Sequence, residues 1–190
     1  AFSMAIDRNA LVNRVTRAGE TPSSHFTPEF CANYIPPDGP GYDPELARKL
    51  LAEAGYSNGE GFPPVTYLFN AAAGGSAKIH QKVAVELQRM WKTQLNVTVN
   101  LRQAEWKAFL SMVNNLDYDL CRASWVGDYN DATTFLNLFT SHSGNNRTGW
   151  RSQEYDTLLS RSDQELDIEK RELILKEAEI LLINEELPII

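Results

Sequence analysis

Two short segments of the sequence combine glycine or other small residues with a few polar side chains. One spans residues 70–80, from Asn70 to His80, and the other spans residues 125–131, from Trp125 to Asp131. Segments of this kind suit a polar ligand, because small residues let the backbone come close while a few polar groups fix the orientation. We therefore expect a binding site to be built from these two segments.

Acidic pairs offer a competing chemistry. Asp117 with Asp119, or Asp128 with Asp131, could serve as the acid and the base of a hydrolase. The first pair lies where a strand is predicted to begin, which is the wrong end for a ligand crevice, and Asp131 is explained more simply as a helix cap. Binding without catalysis is the favoured interpretation.

The familiar signatures of enzymes and metal sites do not occur in the sequence. It has no HExxH, GxSxG or Walker motif. The three histidines, His25, His80 and His142, lack metal-ligand spacing. We expect no enzymatic activity, no cofactor and no metal. A pure scaffold protein is a third class, but it would not require polar residues to gather at strand ends.

The elements that must position these residues alternate along the chain. Alternating or continuous apolar runs predict strands over residues 65–70, 97–101 and 118–125. Helical spacing predicts helices over residues 2–17, 43–54, 79–91, 104–113, 131–139, 153–163 and 168–184. The alternation predicts an α/β fold, a three-layer sandwich with a mixed, mostly parallel sheet and helices on both faces. Both polar segments follow strands, and ligands collect beyond the carboxyl ends of strands in such sheets.

Composition limits the classes of partner. The chain has 190 residues, 43% of them apolar, and a net charge of -7 with scattered basic residues, which argues against a nucleic-acid partner. The apolar stripe already runs from Phe2, and residues 187–190 are typical of a strand that has just begun. We therefore expect residues 1–190 to be a single α/β domain excised from a larger protein.

The two cysteines are far apart in the sequence. Cys31 and Cys121 lack the close spacing of a zinc knuckle or a redox pair. They could form one disulfide or remain as two buried thiols, and the sequence leaves both alternatives open.

The run Ala123-Ser-Trp-Val-Gly-Asp-Tyr-Asn-Asp-Ala132 resembles the W-x-x-D-Y signature in the carboxyl lobe of peptide-binding proteins of oligopeptide and dipeptide ABC importers, extracellular solute-binding protein family 5. Residues 5–12, 42–55 and 154–159 resemble further family segments in the same order. The resemblance covers essentially the whole chain. It implies one lobe of a two-lobed "Venus flytrap" protein of the type II-like periplasmic binding fold.

The resemblance also implies a function. Such proteins capture short peptides between this lobe and a second lobe, here missing, and deliver them to the permease subunits of an ABC importer. The expected location is periplasmic or otherwise extracytoplasmic, with lipid anchoring of the full-length protein as an open alternative. Related members bind nickel complexes, haem or sugars, so the scaffold is better determined than the cargo.

Asp128 matches the family's carboxylate that receives the α-ammonium group of the peptide. A charge-assisted contact of this kind contributes about 1.5–3 kcal/mol. The alternative interpretation is that Asp128 merely shapes the turn before the next helix.

Other family positions also carry over to this sequence. Trp125 and Trp106 match aromatic residues that line side-chain pockets, although either could be a core residue. Arg122 and His80 match positions that meet the peptide's terminal carboxylate, and Asn70 lies at the strand end beside them. The alternatives are a surface salt bridge for Arg122 and a solvated helix start for His80.

One position departs from the family pattern. Some oligopeptide-binding members carry another arginine on the turn after the helix of Trp106, and Val113 stands near that place here. The chemistry at the carboxylate end, and with it the preferred peptide length, is therefore left open.

Overall fold

The computed structural model describes residues 1–32, 34–71 and 76–186. The chain divides into two compact units. Unit 1 contains Ala1–Ser23 and Gly41–Ala123, and unit 2 contains Ser24–Pro40 and Ser124–Ile190. The strand predicted at residues 187–190 and the centre of the predicted 70–80 segment lie outside the described residues.

A three-stranded parallel sheet forms the centre of unit 1. Its strands are β1 (Val65–Ala71), β2 (Val99–Glu105) and β3 (Leu120–Cys121), in the order β2-β1-β3. The register pairs Val65 with Val99 and Tyr67 with Leu120. The predicted α/β class with a mostly parallel sheet is confirmed, and the described strands are parallel throughout.

The third strand is much shorter than the predicted 118–125. The Arg122 backbone N–H still donates to the Leu68 carbonyl at 2.8 Å, but the chain passes into unit 2 from Ser124. Pairing therefore stops at the unit boundary, although the apolar character of the sequence continues to Val126.

The described residues of unit 1 contain four α-helices. They are α1 (Arg8–Ala10, continued by a π-helical stretch, Leu11–Thr16), α2 (Pro44–Glu53), α3 (Ser76–Leu95) and α4 (Trp106–Asn114). A 3₁₀ turn, Ser57–Gly59, follows α2. The prediction of a first helix over 2–17 is wrong at its start, because Asp7 caps α1 by accepting the Ala10 N–H at 2.8 Å.

Helices cover both faces of the sheet, as predicted. Tyr67 and Phe69 point to the face where α3 packs with Ala84, Leu87, Met90 and Trp91. Leu68 points to the opposite face, where it joins Phe109 and Val113 of α4. Strand residues alternate between the faces, so the β1 sequence Tyr-Leu-Phe supplies both cores.

The regular elements of unit 2 are all helices over its described residues. Its helices are α5 (Thr133–Leu136, continued by a 3₁₀ turn, Asn137–Phe139), α6 (Gln153–Gln164) and α7 (Ile168–Ile180, continued by a π-helical stretch, Leu181–Glu185). Ser152 and Asp167 cap α6 and α7. The buried core includes Leu136, Tyr155 and Leu175.

Residues 24–40, which we call the strap, form no helix or strand over 24–32 and 34–40. The strap is held by Glu179 of α7, which is fully buried. The Glu179 carboxylate accepts the backbone N–H groups of Phe26 and Thr27 at 2.9 and 2.8 Å and the Tyr34 hydroxyl at 2.9 Å. One buried acid therefore fixes the strap.

Two further expectations concern chemistry rather than shape. Cys31 and Cys121 are thiols and do not form a disulfide; Cys31 is buried and Cys121 is partly buried. No helix among the described residues has the length and apolarity needed to cross a bilayer.

Candidate functional site

Three of the residues singled out in the sequence lie where strands of unit 1 end. Asn70 is the penultimate residue of β1, Trp106 directly follows β2, and Arg122 directly follows β3. Because the strands are parallel, these ends lie at the same edge of the sheet. The carboxyl ends of the unit 1 strands therefore bring these three candidate residues to the same side of the sheet.

The Arg122 side chain is oriented by Asn70. Its Nη1 donates to Asn70 Oδ1 at 3.3 Å, and Asn70 is buried. Burial lowers the pKa of Arg122, but an arginine remains protonated at neutral pH. The Tyr67 hydroxyl behind it has its pKa raised to about 12 by burial, so it stays neutral. Among the described residues, no carboxylate forms an ion pair with Arg122.

His80 belongs to the same cluster. Burial lowers the pKa of His80, the charge of Arg122 lowers it further, and a hydrogen bond with the Asn70 backbone opposes both. Its Nδ1 is buried and has no hydrogen-bond partner among the residues the structure describes. Arg122, His80 and Asn70 therefore form one group, in which the Arg122 guanidinium is the cation that could receive an anion.

Trp106 stands half exposed at this edge, with 48% of its surface accessible. Its ring stacks on Phe109, with 5.7 Å between the ring centroids and 17° between the planes. The Phe109 ring thus covers one face of the Trp106 indole. The structure places this tryptophan at the margin of the core and leaves apolar surface available for contact.

Trp125 and Asp128 belong to a loop of unit 2, residues 125–131, which we call the Asp128 loop. Trp125 is partly buried against the helical core, and its Nε1 is buried without a hydrogen-bond partner in the described residues. Asp128 is exposed. Its backbone N–H donates to Thr134 Oγ1 at 2.9 Å, whereas no described residue bonds or pairs with its carboxylate.

The Asp128 loop is anchored at its far end by Asp131. The Asp131 carboxylate accepts the Thr133 N–H at 3.0 Å and two hydrogen bonds from Arg171 of α7, at 2.8 and 2.9 Å. The Arg171 hydrogen bonds are the main reason that the pKa of Asp131 falls to about 2. The neighbouring Asn130 accepts the backbone N–H of Ala32 in the strap at 3.0 Å.

Sequence reasoning missed these anchors. Arg171 lies 40 residues from Asp131, and Ala32 lies 98 residues from Asn130, so no local pattern links them. Of these residues, only Asp131 was singled out from the sequence, as the N-cap of a helix. The N-cap of α5 is in fact Ala132, and Asp131 precedes it by one residue.

Comparison with known proteins decides the family. Residues 1–147 match the model of "Bacterial extracellular solute-binding proteins, family 5 Middle". The chain belongs to family 5 of the bacterial extracellular solute-binding proteins. Its resemblance to that family, inferred above from short motifs, is thereby confirmed.

Relatives of this family 5 member match it over nearly all of its length. The periplasmic murein peptide-binding protein MppA of Escherichia coli is 36% identical over 191 residues, which cover 97% of this chain and 34% of MppA. An oligopeptide-binding protein of Borrelia burgdorferi, OppAIV, superposes with a TM-score of 0.89 at 37% identity, over 98% of this chain and 37% of that one. Haemophilus influenzae OppA in complex with the peptide RPPGFSPFR gives a TM-score of 0.86 at 33% identity, over 97% of this chain and 36% of that one. The chain thus spans about a third of the length of these relatives.

These relatives are named as solute-binding proteins, which are not enzymes. In this family 5 member both members of the Asp117–Asp119 pair are engaged in other contacts. Asp119 accepts the Thr66 N–H at 2.7 Å, and Asp117 lies 3.5 Å from an Arg102 nitrogen. Within residues 1–32, 34–71 and 76–186, no three metal-ligating side chains cluster.

Proposed function

We propose that this chain is the peptide-gripping lobe of a solute-binding protein that delivers short peptides to an ABC importer. In this proposal Asp128 receives the α-ammonium group of the peptide. The observation that carries it is an exposed carboxylate on an anchored loop, with no described residue neutralising its charge. An ammonium group supplies the missing positive charge and up to three hydrogen-bond donors.

The cluster at the carboxyl edge of the sheet supports a role at the other end of the peptide. Arg122 is a protonated guanidinium that Asn70 orients at 3.3 Å, and His80 lies beside it. A guanidinium can bind a carboxylate with two parallel hydrogen bonds. We assign the terminal carboxylate to this cluster and side-chain contacts to the aromatic surfaces of Trp106 and Trp125.

The full-length protein is proposed to be extracytoplasmic, periplasmic or held at the membrane by a lipid anchor. Since this chain spans about a third of its relatives, a second lobe of the same protein would form the other wall of the cleft. Ligand that bridges both lobes stabilises the closed form, and the permease recognises that form.

The decisive experiment uses the full-length protein and calorimetry with two peptides, one with a free amino terminus and the same peptide N-acetylated. Asp128→Asn removes the charge but keeps the shape, so we expect the free-amine peptide to bind about 10- to 150-fold more weakly. The acetylated peptide should bind the wild type and the variant equally.

Asp38→Asn is the matched control, because Asp38 is also an exposed carboxylate of unit 2. It should leave both affinities unchanged. If Asp128→Asn bound the two peptides as the wild type does, the ammonium assignment would be wrong. Native mass spectrometry of the protein purified from its host tests the identity of the bound solute. A bound mass that corresponds to a nickel complex, a haem or a sugar would show that the ligand is not a peptide.

A further inference from the structure

An ion pair with α7 fixes the Asp128 loop within unit 2, and no sequence motif predicts this contact. Arg171 of α7 grips Asp131 with both terminal nitrogens, 2.8 and 2.9 Å from the two carboxylate oxygens. We propose that Arg171 is a positioning residue for ligand binding, which acts through Asp131 to hold the Asp128 carboxylate in place. This inference rests on the proposed function, in which Asp128 binds the peptide amine.

Two sets of hydrogen bonds, joined by the peptide bond between Thr133 and Thr134, lead from Arg171 to Asp128. Asp131 Oδ1 accepts the Thr133 N–H at 3.0 Å and the Thr133 hydroxyl at 2.7 Å, which fixes the first residue of α5. The next residue, Thr134, receives the Asp128 N–H on its hydroxyl at 2.9 Å. The position of residue 128 is therefore set by the start of α5, and the start of α5 is set by the ion pair.

Close packing at Gly127 makes the loop responsive to such a shift. A Cβ at this position would lie 3.1 Å from Thr134 Cγ2 and 3.2 Å from the Phe135 ring. The loop backbone thus lies directly against the first turn of α5. A rotation of that turn would carry residue 128 with it.

The ion pair has the properties of a fixed contact. Both side chains are mostly buried, at 27% exposure each, and the bidentate geometry restricts their rotation. Other pairs of the chain differ in this respect: Lys49 and Glu53 are 71% and 59% exposed and 3.8 Å apart. Exposed pairs of that kind rarely contribute measurably to structure.

Arg171→Met in the full-length protein tests the proposal. It keeps the apolar stem but removes the guanidinium, and we expect the free-amine peptide to bind at least about tenfold more weakly, the lower end of what a charge-assisted contact contributes. The N-acetylated peptide should lose less than about threefold, since it makes no ammonium contact. Selective loss for the free amine is a result that general destabilisation would not produce.

Two further variants keep the test interpretable. Arg171→Lys retains the charge without the bidentate geometry and should fall between wild type and Arg171→Met, and it provides the readout if Arg171→Met does not fold. Arg89→Met is the matched control, because Arg89 also holds a carboxylate with two nitrogens, at 3.0 and 2.6 Å from Glu86, but in unit 1. It should leave the affinities for both peptides unchanged.

The outcomes separate this inference from the proposed function. If Asp128→Asn abolishes the preference for a free amine and folded Arg171→Met and Arg171→Lys retain it fully, Arg171 has no positioning role and only this inference is overturned. If Asp128→Asn itself retains the preference, the proposed function fails and this inference fails with it. If Arg171→Met weakens both peptides equally, the role is structural only, which also overturns the proposal.

Discussion

Replacing the buried Glu179 of α7 should strongly destabilise unit 2. The Glu179 carboxylate is inaccessible to solvent and accepts three hydrogen bonds, from the amides of Phe26 and Thr27 and from the Tyr34 hydroxyl. Glu179→Leu leaves these three donors without acceptors, and each buried unsatisfied donor costs about 1–3 kcal/mol. We therefore expect the free energy of unfolding to fall by at least about 3 kcal/mol.

A graded series makes the magnitude testable. Glu179→Gln keeps an oxygen for the two amides but loses the charged oxygen that accepts the hydrogen bond of the Tyr34 hydroxyl. It should therefore lower the free energy of unfolding by about 1.5–3 kcal/mol. Tyr34→Phe removes one donor from the same carboxylate and should cost a similar amount. Because single domains are stable by only about 5–15 kcal/mol, the Glu179→Leu variant should be close to unfolding.

Urea unfolding of the chain, followed by circular dichroism, measures each difference. Glu177 lies on the same helix but is exposed, so Glu177→Leu and Glu177→Gln are matched controls that should change stability by less than about 0.5 kcal/mol. The reasoning is refuted if Glu179→Leu unfolds within about 1 kcal/mol of Glu177→Leu. Such a result would mean that water or a rearranged strap satisfies the three donors.

Two shorter predictions concern a glycine and the ion pair. In the same urea assay, Gly59→Ala should lower the free energy of unfolding more than Gly55→Ala does. Both glycines have positive φ angles, 72° and 95°, but at Gly59 the new Cβ would also lie 2.4 Å from the backbone oxygen of Leu95, whereas nothing lies within 4 Å at Gly55. Equal losses would show that the Leu95 backbone shifts to make room. The Arg171 hydrogen bonds hold the pKa of Asp131 at about 2, below its ordinary 3.8, so this pair stabilises the fold above pH about 4 and the stabilisation is lost as the pH falls towards 2. Asp131→Asn should reduce the acid-induced loss of unfolding free energy over that range by about 1–2 kcal/mol, and an unchanged pH slope would contradict the assignment.

Local sequence patterns predicted most helices and strands of unit 1, because capping residues and apolar spacing within a few residues determine where such elements form. The Asp43-Pro44 pair predicts the start of α2, and Asp43 does cap it by accepting the Leu46 N–H at 2.9 Å. The alternation around Val99 predicts β2, and the apolar run after Pro64 predicts β1. The sequence also predicted that Asn70 lies at the end of β1, whereas Arg122, predicted inside the third strand, directly follows β3.

The sequence predicted the first and last residues of the helices and strands less well. The apolar run 118–125 was predicted as a strand, but only Leu120–Cys121 pairs with β1 before the chain leaves the sheet. Phe2 was assigned to a helix, yet it packs on Trp91 through tertiary contact, with 5.4 Å between the ring centroids. Apolar periodicity reports burial, and burial does not specify what covers the residue.

The sequence by itself thus determined the family and the α/β class and named candidate polar residues for a ligand site, because each depends on spacing within a few residues. The tertiary structure alone decided how those residues are held: Arg171 reaches Asp131 across 40 residues, and Glu179 reaches the strap across about 150. Contacts between such distant positions depend on how the helices pack. No pattern in the local sequence encodes that packing, so the anchors of the Asp128 loop became visible only in three dimensions.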